Sequence, residues 1–138
     1  MVSFIRYIDE NDFEIVELLE LLYDLHFTSK RQFKRFVKNR LPNHYIYILE
    51  VQNEIVGLAS LYIEPKLARL FVGHIDDVIV KQSFRGQGYG KKLVNHLIET
   101  AKHESCYKCV LSCNLSACEF YEQCGFLKND QEMVLFFD

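Results

Sequence analysis

The pattern of apolar and polar positions along the chain predicts ten elements in the order β-α-α-β-β-β-α-β-α-β. Runs of β-branched and aromatic residues predict strands, and apolar residues three or four positions apart predict helices. This order describes an α/β (α+β) fold in a single domain, 1–138, with a mixed central sheet of about six to seven strands and four helices. The predicted strands are 2–8, 45–51, 55–63, 74–80 and 107–112, with a last hairpin of 126–127 and 133–137; the predicted helices are 12–23, 29–40, the stretch after Gly90, and 116–124.

Short polar residues and glycines mark where these elements begin and end. Asp9 is predicted to cap the first helix and Thr28 or Ser29 the second, because their side-chain oxygens accept hydrogen bonds from a first helical turn. Gly125 is predicted to end the last helix. Gly57 interrupts the third strand and predicts a bulge there.

One stretch in the middle of the chain joins a strand, a glycine-rich turn and a helix. The strand carries two adjacent acids, Asp76 and Asp77, and the turn after it holds Gly86, Gly88 and Gly90. Glycines let successive backbone N–H groups point at one spot, and the positive end of the following helix favours an anion there. The stretch predicts a phosphate-binding turn; a tight strand-to-helix connection explains a bare glycine turn equally well.

The spacing of the glycines indicates which of the known phosphate-binding loops this turn resembles. It matches neither the G-x-x-x-x-G-K-[ST] loop nor the G-x-G-x-x-G loop. The pattern Arg85-x-x-Gly88-x-Gly90 after an acidic strand resembles the acetyl-CoA pyrophosphate loop, Q/R-x-x-G-x-G/A, of the GNAT acetyltransferase superfamily. This resemblance implies acetyl-CoA as co-substrate, bound by Val78, Ile79, Val80, Arg85, Gly86, Gln87, Gly88, Tyr89, Gly90, Lys91 and Asn114.

A second block of sequence supports the same resemblance. Residues 114–126 read NLSACEFYEQCGF and are similar to the superfamily's N-x-x-A-x-x-F-Y-x-x-x-G-F. The predicted order of elements is also that of the GNAT fold. The resemblance is continuous over 64–128, and it implies that Tyr121 is the acid beside the sulfur of CoA.

Composition narrows the class of protein. With 49% hydrophobic and 14% aromatic residues the chain has enough apolar side chains for one core, and its net charge of −3 gives no electrostatic case for nucleic acid. Its apolar runs are too short to span a membrane, and its first residues do not resemble a signal peptide. The five cysteines are odd in number and lack the spacing of a metal site, which predicts reduced thiols in the cytoplasm and no bound metal.

Within the superfamily the chain most resembles the glucosamine 6-phosphate N-acetyltransferase family. Residues 73–78, 106–108 and 120–126 are similar to that family's G-H-I-E-D-[VI], C-Y-K and F-Y-E-K-C-G-F, whereas Ser112 replaces an acid and the loop 66–72 is shorter. The resemblance implies a small-molecule amine substrate, with glucosamine 6-phosphate as the best candidate, and a homodimer. The implied substrate-binding residues are Lys66, Arg69, Asp76, Asp77, Tyr107 and Lys108.

Acetyl transfer from a thioester to an amine needs an acceptor for the amine proton and a donor for the leaving thiolate. No cysteine has a histidine placed by a recognisable motif, so direct transfer is favoured over a covalent acetyl-cysteine. The resemblance assigns Tyr121 to the thiolate and both Asp76 and Asp77 to the amine. Because neighbouring residues of a strand point to opposite faces, both acids reach one cleft only if the strand is bulged.

Two other classes of function stay open from the sequence. A non-catalytic acyl-CoA-binding module would keep the glycine turn without needing Tyr121. A protein or peptide acetyltransferase would present a wide groove in place of a closed, cationic pocket, and another small amine is a third possible acceptor. Consumption of acetyl-CoA measured against a panel of amines separates these functions.

Overall fold

A five-stranded mixed sheet forms the centre of the computed structural model, which describes residues 2–22, 29–68 and 70–138. The strands lie side by side in chain order, and neighbours are antiparallel except for the last two, which are parallel. The strands are β1 (Ser3–Tyr7), β2 (His44–Val51), β3 (Glu54–Pro65), β4 (Phe71–Val80) and β5 (Cys106–Val110).

Helices cover both faces of this sheet. Within the described residues they are α1 (Val16–Leu22), α2 (Lys30–Asn39), α3 (Tyr89–His103) and α4 (Leu115–Gln123), with 3₁₀ turns at Phe13–Ile15 and Gln82–Phe84. A mixed sheet with four helices confirms the predicted fold class, with five strands in place of six to seven. None of the helices in these ranges is long and apolar enough to cross a membrane. The predicted end of the first helix at residue 23, the alternative cap Thr28, and Arg69 lie outside the described residues.

The sheet separates two apolar cores. Leu93, Leu97 and Ala101 of α3 are fully buried on one face, which we call the α3 core. Phe33 of α2 is 1% exposed on the other face, the α1/α2 core, where it packs with residues of α1. A sheet covered on both faces needs apolar residues in both directions, and the strands accordingly contain continuous apolar runs such as 46–49.

The first helix begins later than predicted, so the assignment of Asp9 as its cap is wrong. Asp9 instead accepts a hydrogen bond from the N–H of Asn11 at 2.9 Å, in the turn that follows β1. Asp12 is buried, and the guanidinium of Arg6 donates two hydrogen bonds of 2.9 Å to its carboxylate. This ion pair ties Asp12 to β1, and α1 starts only at Val16, after a 3₁₀ turn.

Three of the predicted turn and cap signals are confirmed. Gly57 lies beside a register shift between β2 and β3, and a Cβ at this position would come within 2.9 Å of Leu93, so glycine lets α3 approach the sheet. Ser29 caps α2 by accepting a hydrogen bond from the N–H of Gln32. Gly125 follows α4 with a φ of +100°, a left-handed conformation that suits glycine at a helix end.

The predicted last hairpin is wrong. The C-terminal tail, residues 131–138, contains no strand, and its apolar side chains are exposed, with Phe136 at 87% and Phe137 at 89%. A strand exists only with a hydrogen-bonded neighbour, and the sheet of the single described chain ends at β5. The apolar pattern of the tail therefore indicates a segment that could form a strand, but it does not identify the strand that would pair with it.

Candidate active site

A bulge in β4 places two acids together. Leu58 of β3 pairs with Ile79 and Ser60 pairs with Asp76, so two steps on β3 face three steps on β4. Asp77 lies in this irregularity with a φ of +55°, in the left-handed region. Because the bulge breaks the alternation of the strand, the carboxylates of Asp76 and Asp77 both line one cavity. The strand is bulged, as the sequence analysis required for both acids to reach one cleft.

The cavity over the bulge has a volume of about 570 Å³. Ser60 of β3 forms part of its wall, is almost fully buried, and donates its hydroxyl to Oδ2 of Asp77 at 3.1 Å and to the carbonyl of Asp76 at 3.2 Å. This contact fixes the direction of the Asp77 carboxylate. The cavity is lined by His44, Ser60, Tyr62, Glu64, His74, Asp76 and Asp77.

Electrostatics distinguish the side chains of this cavity. The pKa of Asp76 is raised, first because the surrounding atoms partly desolvate its carboxylate and second because the charge of Asp77 lies close by. The pKa of His44 is lowered, mainly by partial burial and also by Arg40, although Asp77 and Asp76 oppose this shift. The lowered pKa favours the neutral form of the imidazole beside the two carboxylates.

A third acid of the cavity is paired with a lysine and a histidine. Oε1 of Glu64 lies 2.8 Å from Nζ of Lys66 and 2.8 Å from Nε2 of His74. The hydrogen bond from Lys66 and then that from His74 lower the pKa of Glu64, and Glu64 raises the pKa of Lys66. Tyr107 of β5 lies close enough to act electrostatically on Lys66, and Nζ of Lys108 lies 5.3 Å from the Tyr107 ring.

Of the three cations predicted to bind substrate, Lys66 pairs with Glu64 of the cavity wall and Lys108 lies beside Tyr107 on β5. The third, Arg69, is outside the described residues. The pairing of Lys66 with Glu64 is a feature that the sequence did not suggest. An anionic substrate group would have to compete with Glu64 for this lysine.

The parallel strands β4 and β5 separate next to the acids. Their pairing ends at His74 and Val110, although β4 continues to Val80. Beyond this point the edge of β4 that faces α4 has no strand neighbour in the described chain. The side chains of Ile79 and Val80 are buried in the α1/α2 core and the α3 core respectively, so neither side chain is available to a ligand.

The glycine turn follows directly after β4. Gly86 and Gly88 have φ values of +77° and +87°, and a Cβ on either would meet no atom within 4 Å, so the space above the turn is open. Gly88 immediately precedes α3, whose first N–H groups have no acceptor within the helix. Nε of Arg85 donates to the carbonyl of Val80 at 2.8 Å and holds the turn against the strand. These features suit an anion such as a pyrophosphate.

Gly90 has a packing role that the motif alone did not show. A Cβ on Gly90 would come within 3.2 Å of the ring of Phe120, so this glycine lets α3 and α4 pack closely. Tyr89 is half-buried near Phe84, whereas Gln87 and Lys91 are exposed beside the turn. The predicted cofactor residues of this loop thus lie together.

Tyr121 lies on α4, on the far side of the gap beside β4. Its ring packs edge-on against Phe120 at 5.0 Å and against Phe126 at 6.0 Å, as measured between ring centroids. Burial raises the pKa of Tyr121 to about 12, and the charges of Cys113, Cys124 and Asp76 contribute further. The phenol is therefore protonated at neutral pH, as a proton donor must be.

Asn114 caps α4. Its Oδ1 accepts hydrogen bonds from the N–H of Ala117 at 3.0 Å and from the hydroxyl of Ser116 at 2.7 Å. This oxygen is thereby engaged within the helix terminus, and the predicted contact of Asn114 with the cofactor would fall to its amide nitrogen or its backbone.

Ser60 and His44 are site residues that the sequence did not indicate. Ser60 is a small polar residue within an apolar strand, a signal that points to a polar cavity only once its neighbour on β4 is known. His44 opens β2 and reaches the acids through the order of the sheet. The pairing partners of both residues are set by tertiary structure, so no local motif reveals them.

Comparison with known proteins supports the fold and shows the family. The sequence matches the Acetyltransferase (GNAT) family over residues 7–126. Glucosamine 6-phosphate N-acetyltransferase of Arabidopsis thaliana is 34% identical over 130 residues, which cover 89% of this chain and 87% of the relative. The enzyme of the same name from Trypanosoma brucei brucei is 40% identical over 92 residues, 65% of this chain and 63% of the relative, so the match spans less than two thirds of that relative's length.

Solved structures give the same result. The crystal structure of glucosamine-6-phosphate N-acetyltransferase from Arabidopsis thaliana has a TM-score of 0.93 and 31% sequence identity, and the match covers 100% of both chains. An acetyltransferase from Trypanosoma brucei has a TM-score of 0.91 and 32% identity, with 99% of this chain and 100% of that chain covered.

Proposed function

The chain belongs to the acetyltransferase (GNAT) family, and on this premise we propose that it transfers the acetyl group of acetyl-CoA directly to the amine of glucosamine 6-phosphate. The observation that carries the proposal is the arrangement of Tyr121 and Asp76. They lie on different elements, α4 and β4, and are close enough for the charge of Asp76 to raise the pKa of Tyr121. In this proposal Tyr121 is the proton donor and Asp76 the proton acceptor of the same reaction.

The acids of the bulge act on the acceptor amine. Asp76 and Asp77 bind the ammonium form as an ion pair and then take up the proton that must leave before the nitrogen can attack a carbonyl. The raised pKa of Asp76 makes it a better proton acceptor than an ordinary aspartate, since its protonated form is more stable than usual. Ser60 keeps Asp77 pointed into the cavity.

Tyr121 acts at the other end of the reaction. Its hydroxyl donates a proton to the thiolate that leaves as the acetyl group is transferred, and its pKa of about 12 keeps that proton in place until then. Its packing against Phe120 and Phe126 holds the ring in one orientation. No residue of the chain has to form a covalent bond to the acetyl group.

The glycine turn and the open edge of β4 fit the co-substrate. The turn from Arg85 to Lys91 and the N-terminus of α3 bind the pyrophosphate, and the backbone of Val78 and Val80 pairs with the pantetheine arm. Open space above Gly86 and Gly88 and the early end of the β4–β5 pairing are the features that support this placement.

The identity of the acceptor rests on cations and on the relatives. Lys66, which pairs with Glu64 of the cavity wall, and Lys108, which lies beside Tyr107, would supply the positive charge that a phosphate needs. Relatives at 34–40% identity are named glucosamine 6-phosphate N-acetyltransferases. The salt bridge of Lys66 with Glu64 is the element that the phosphate would displace.

A comparison of two acceptors tests this assignment. If a phosphate is bound, kcat/KM for glucosamine 6-phosphate exceeds that for glucosamine by about a hundredfold or more, because each charge-assisted contact is worth ~1.5–3 kcal/mol. Lys66→Gln reduces this preference while the slow rate with glucosamine is kept, whereas Lys30→Gln on the exposed side of α2 changes neither. Equal rates with both sugars, or a better rate with a polyamine or a peptide, reject the amino-sugar phosphate and leave the acetyltransferase assignment in place.

The C-terminal tail supports a homodimer. The apolar side chains of the tail are exposed, and the outer edge of β5 has no neighbouring strand in the described residues. A second copy satisfies both, since a symmetric exchange of tails would pair each tail with the other copy's β5. Light scattering of the full chain is expected to give a dimer, and removal of residues 131–138 a monomer; a monomeric full chain rejects this arrangement.

A further inference from the structure

Two cysteines meet at the start of α4. Sγ of Cys113 lies 3.4 Å from Sγ of Cys118, and Cys113 is exposed to solvent. Asn114 is the cap of α4, so Cys113 immediately precedes the cap and Cys118 is the fourth residue of the helix. These two positions contact each other at many helix starts, where an apolar pair fixes the entry of the chain. Here the contact consists of two thiols.

The other cysteines do not form such a pair. Cys106 and Cys109 of β5 both pack against the α3 core, and burial raises the pKa of both thiols. Cys109 packs against Gly73, and burial raises its pKa to about 11, which disfavours its reactive thiolate. Cys124 lies at the far end of α4. Cys113 and Cys118 are thus the candidate dithiol among the described residues.

We propose that Cys113 and Cys118 are a redox modification site, oxidised by a hydroperoxide to a disulfide that slows acetyl transfer. In the first step the exposed Cys113 thiolate attacks the peroxide, forms a sulfenic acid and releases water or an alcohol. The Cys118 thiol then attacks that sulfur, the S–S bond forms and a second water leaves, so two thiols lose two electrons to one peroxide. A dithiol reductant reverses the reaction.

The reactivity of the pair is modest in the resting protein. Partial desolvation and then the hydrogen bond with Cys118 raise the pKa of Cys113, which disfavours its reactive thiolate. Oxidation therefore needs an excess of hydroperoxide. Once Cys113 is oxidised, the neighbouring Cys118 is already in contact, which favours the disulfide over further oxidation of Cys113.

The disulfide would act on Tyr121 through the helix start. An S–S bond is about 2.05 Å long, so the two sulfurs must approach by more than an ångström. Cys118 Sγ also lies 3.4 Å from the carbonyl of Asn114, and that contact changes when the bond forms. Tyr121 follows Cys118 by three residues, and the charge of Cys113 already affects its pKa. A shift of this size near a proton donor is enough to slow catalysis by a large factor.

Peptide mapping tests the modification itself and needs no enzyme activity. The full chain is treated with hydrogen peroxide, its remaining thiols are alkylated, and the digest is analysed by mass spectrometry. We expect a linked Cys113–Cys118 species, lighter by two hydrogen atoms and removed by dithiothreitol, in the wild type and in Cys124→Ser but not in Cys118→Ser. A Cys113 that stays free, or that ends as a sulfinic acid or a mixed disulfide with added CoA, overturns the proposal.

Activity measurements test the consequence. This arm rests on the proposed acetyltransferase function, whereas the mapping does not, so the two can fail separately. Peroxide is expected to lower the wild-type rate at least about fivefold and reversibly, as expected when a catalytic group is displaced, whereas Cys113→Ser and Cys118→Ser keep their untreated rate. A wild type that carries the disulfide at full rate, or an equal loss of rate in Cys118→Ser, rejects control through this pair.

Discussion

Ser60 of β3 and Asp77 of β4 are joined by a hydrogen bond of 3.1 Å across the bulge, where the serine is only 3% exposed. The serine hydroxyl has Oδ2 of the aspartate and the carbonyl of Asp76 as acceptors. The bond thus connects the irregular backbone of the bulge to the direction of one of its carboxylates. It makes Ser60 a positioning residue for the acids.

Ser60→Ala is expected to lower kcat by about tenfold, the effect of a lost hydrogen bond of ~1 kcal/mol or slightly more, with the affinity for acetyl-CoA unchanged. If Ser60 acts through Asp77, its effect is largely lost when Asp77 is already Asn. Steady-state kinetics of the two single variants and the double variant measure this. Additive losses would show that Ser60 works independently of Asp77.

Tyr121→Phe retains the packing of the ring and removes the hydroxyl. A general acid contributes typically about 10²–10⁴-fold to the rate, so kcat falls by that range while the Kd for acetyl-CoA from calorimetry stays near the wild-type value. Tyr7→Phe, which removes a hydroxyl far from the cavity, is the matched control. A kcat within a factor of about two of wild type would leave Tyr121 as a packing residue and favour a non-catalytic acyl-CoA-binding module.

Gly88→Ala is expected to weaken acetyl-CoA binding at least about tenfold, or ~1.4 kcal/mol. The substitution places a methyl group in the open space above the turn and strains a backbone with a φ of +87°. Gly125→Ala carries the same kind of strain at a φ of +100° and lies outside the turn, so it separates strain from loss of the site. Equal affinities of the two variants by calorimetry contradict the placement of the pyrophosphate at this turn.

Asp76→Asn is expected to stabilise the protein while it lowers activity. The pKa of Asp76 is raised in the folded state, so the folded protein holds this proton more tightly, and the contribution of Asp76 to stability declines as the pH rises through its folded pKa. At neutral pH the variant therefore has a higher Tm than the wild type. Scanning calorimetry checks this, with Glu119→Gln on the exposed side of α4 as control.

The same argument predicts how the gain depends on pH. The difference in Tm between Asp76→Asn and the wild type narrows as the pH is lowered through the folded pKa of Asp76 towards about 4, the ordinary value of an aspartate, because the wild-type carboxylate becomes neutral there. A difference that widens towards low pH would mean that the charge of Asp76 stabilises the fold, contrary to the direction of its pKa.

The glycine turn, the tyrosine of α4 and the acids of β4 were all predictable from sequence, since each lies within a few residues of its motif. The sequence also showed that both acids reach one cleft only if the strand is bulged, but it did not show whether the bulge exists. The bulge depends on how β3 and β4 pair, which involves residues about 17 positions apart, such as Ser60 and Asp77. His44 enters the cavity for the same reason, because sheet order and not a local pattern brings it there.

The errors at the two ends of the chain have the same kind of cause. Asp9 and Asp12 are equally good caps by residue type, and the ion pair of Asp12 with Arg6, six positions earlier on β1, holds Asp12 before the start of the first helix. The C-terminal tail has an apolar pattern typical of a strand, yet pairing needs a neighbour that one described chain does not provide. In both places local propensity identified residues suited to a cap or a strand, but it did not identify the residues with which they interact.

The bulge at Asp76 and Asp77 also decides what a small deletion in this gene would do. Ile75 and Ile79 are four positions apart and would share a face of a regular strand, yet Ile75 lies in the α3 core and Ile79 in the α1/α2 core. Loss of one codon at either acid would leave Ile75 and Ile79 three positions apart, so a regular strand without the bulge would place both in the cores that they occupy now. The result would be a folded chain with one acid fewer in the cavity, and not an unfolded chain. The packing of the two cores therefore does not protect the spacing of the acids against deletion, and selection for catalysis would have to retain the bulge.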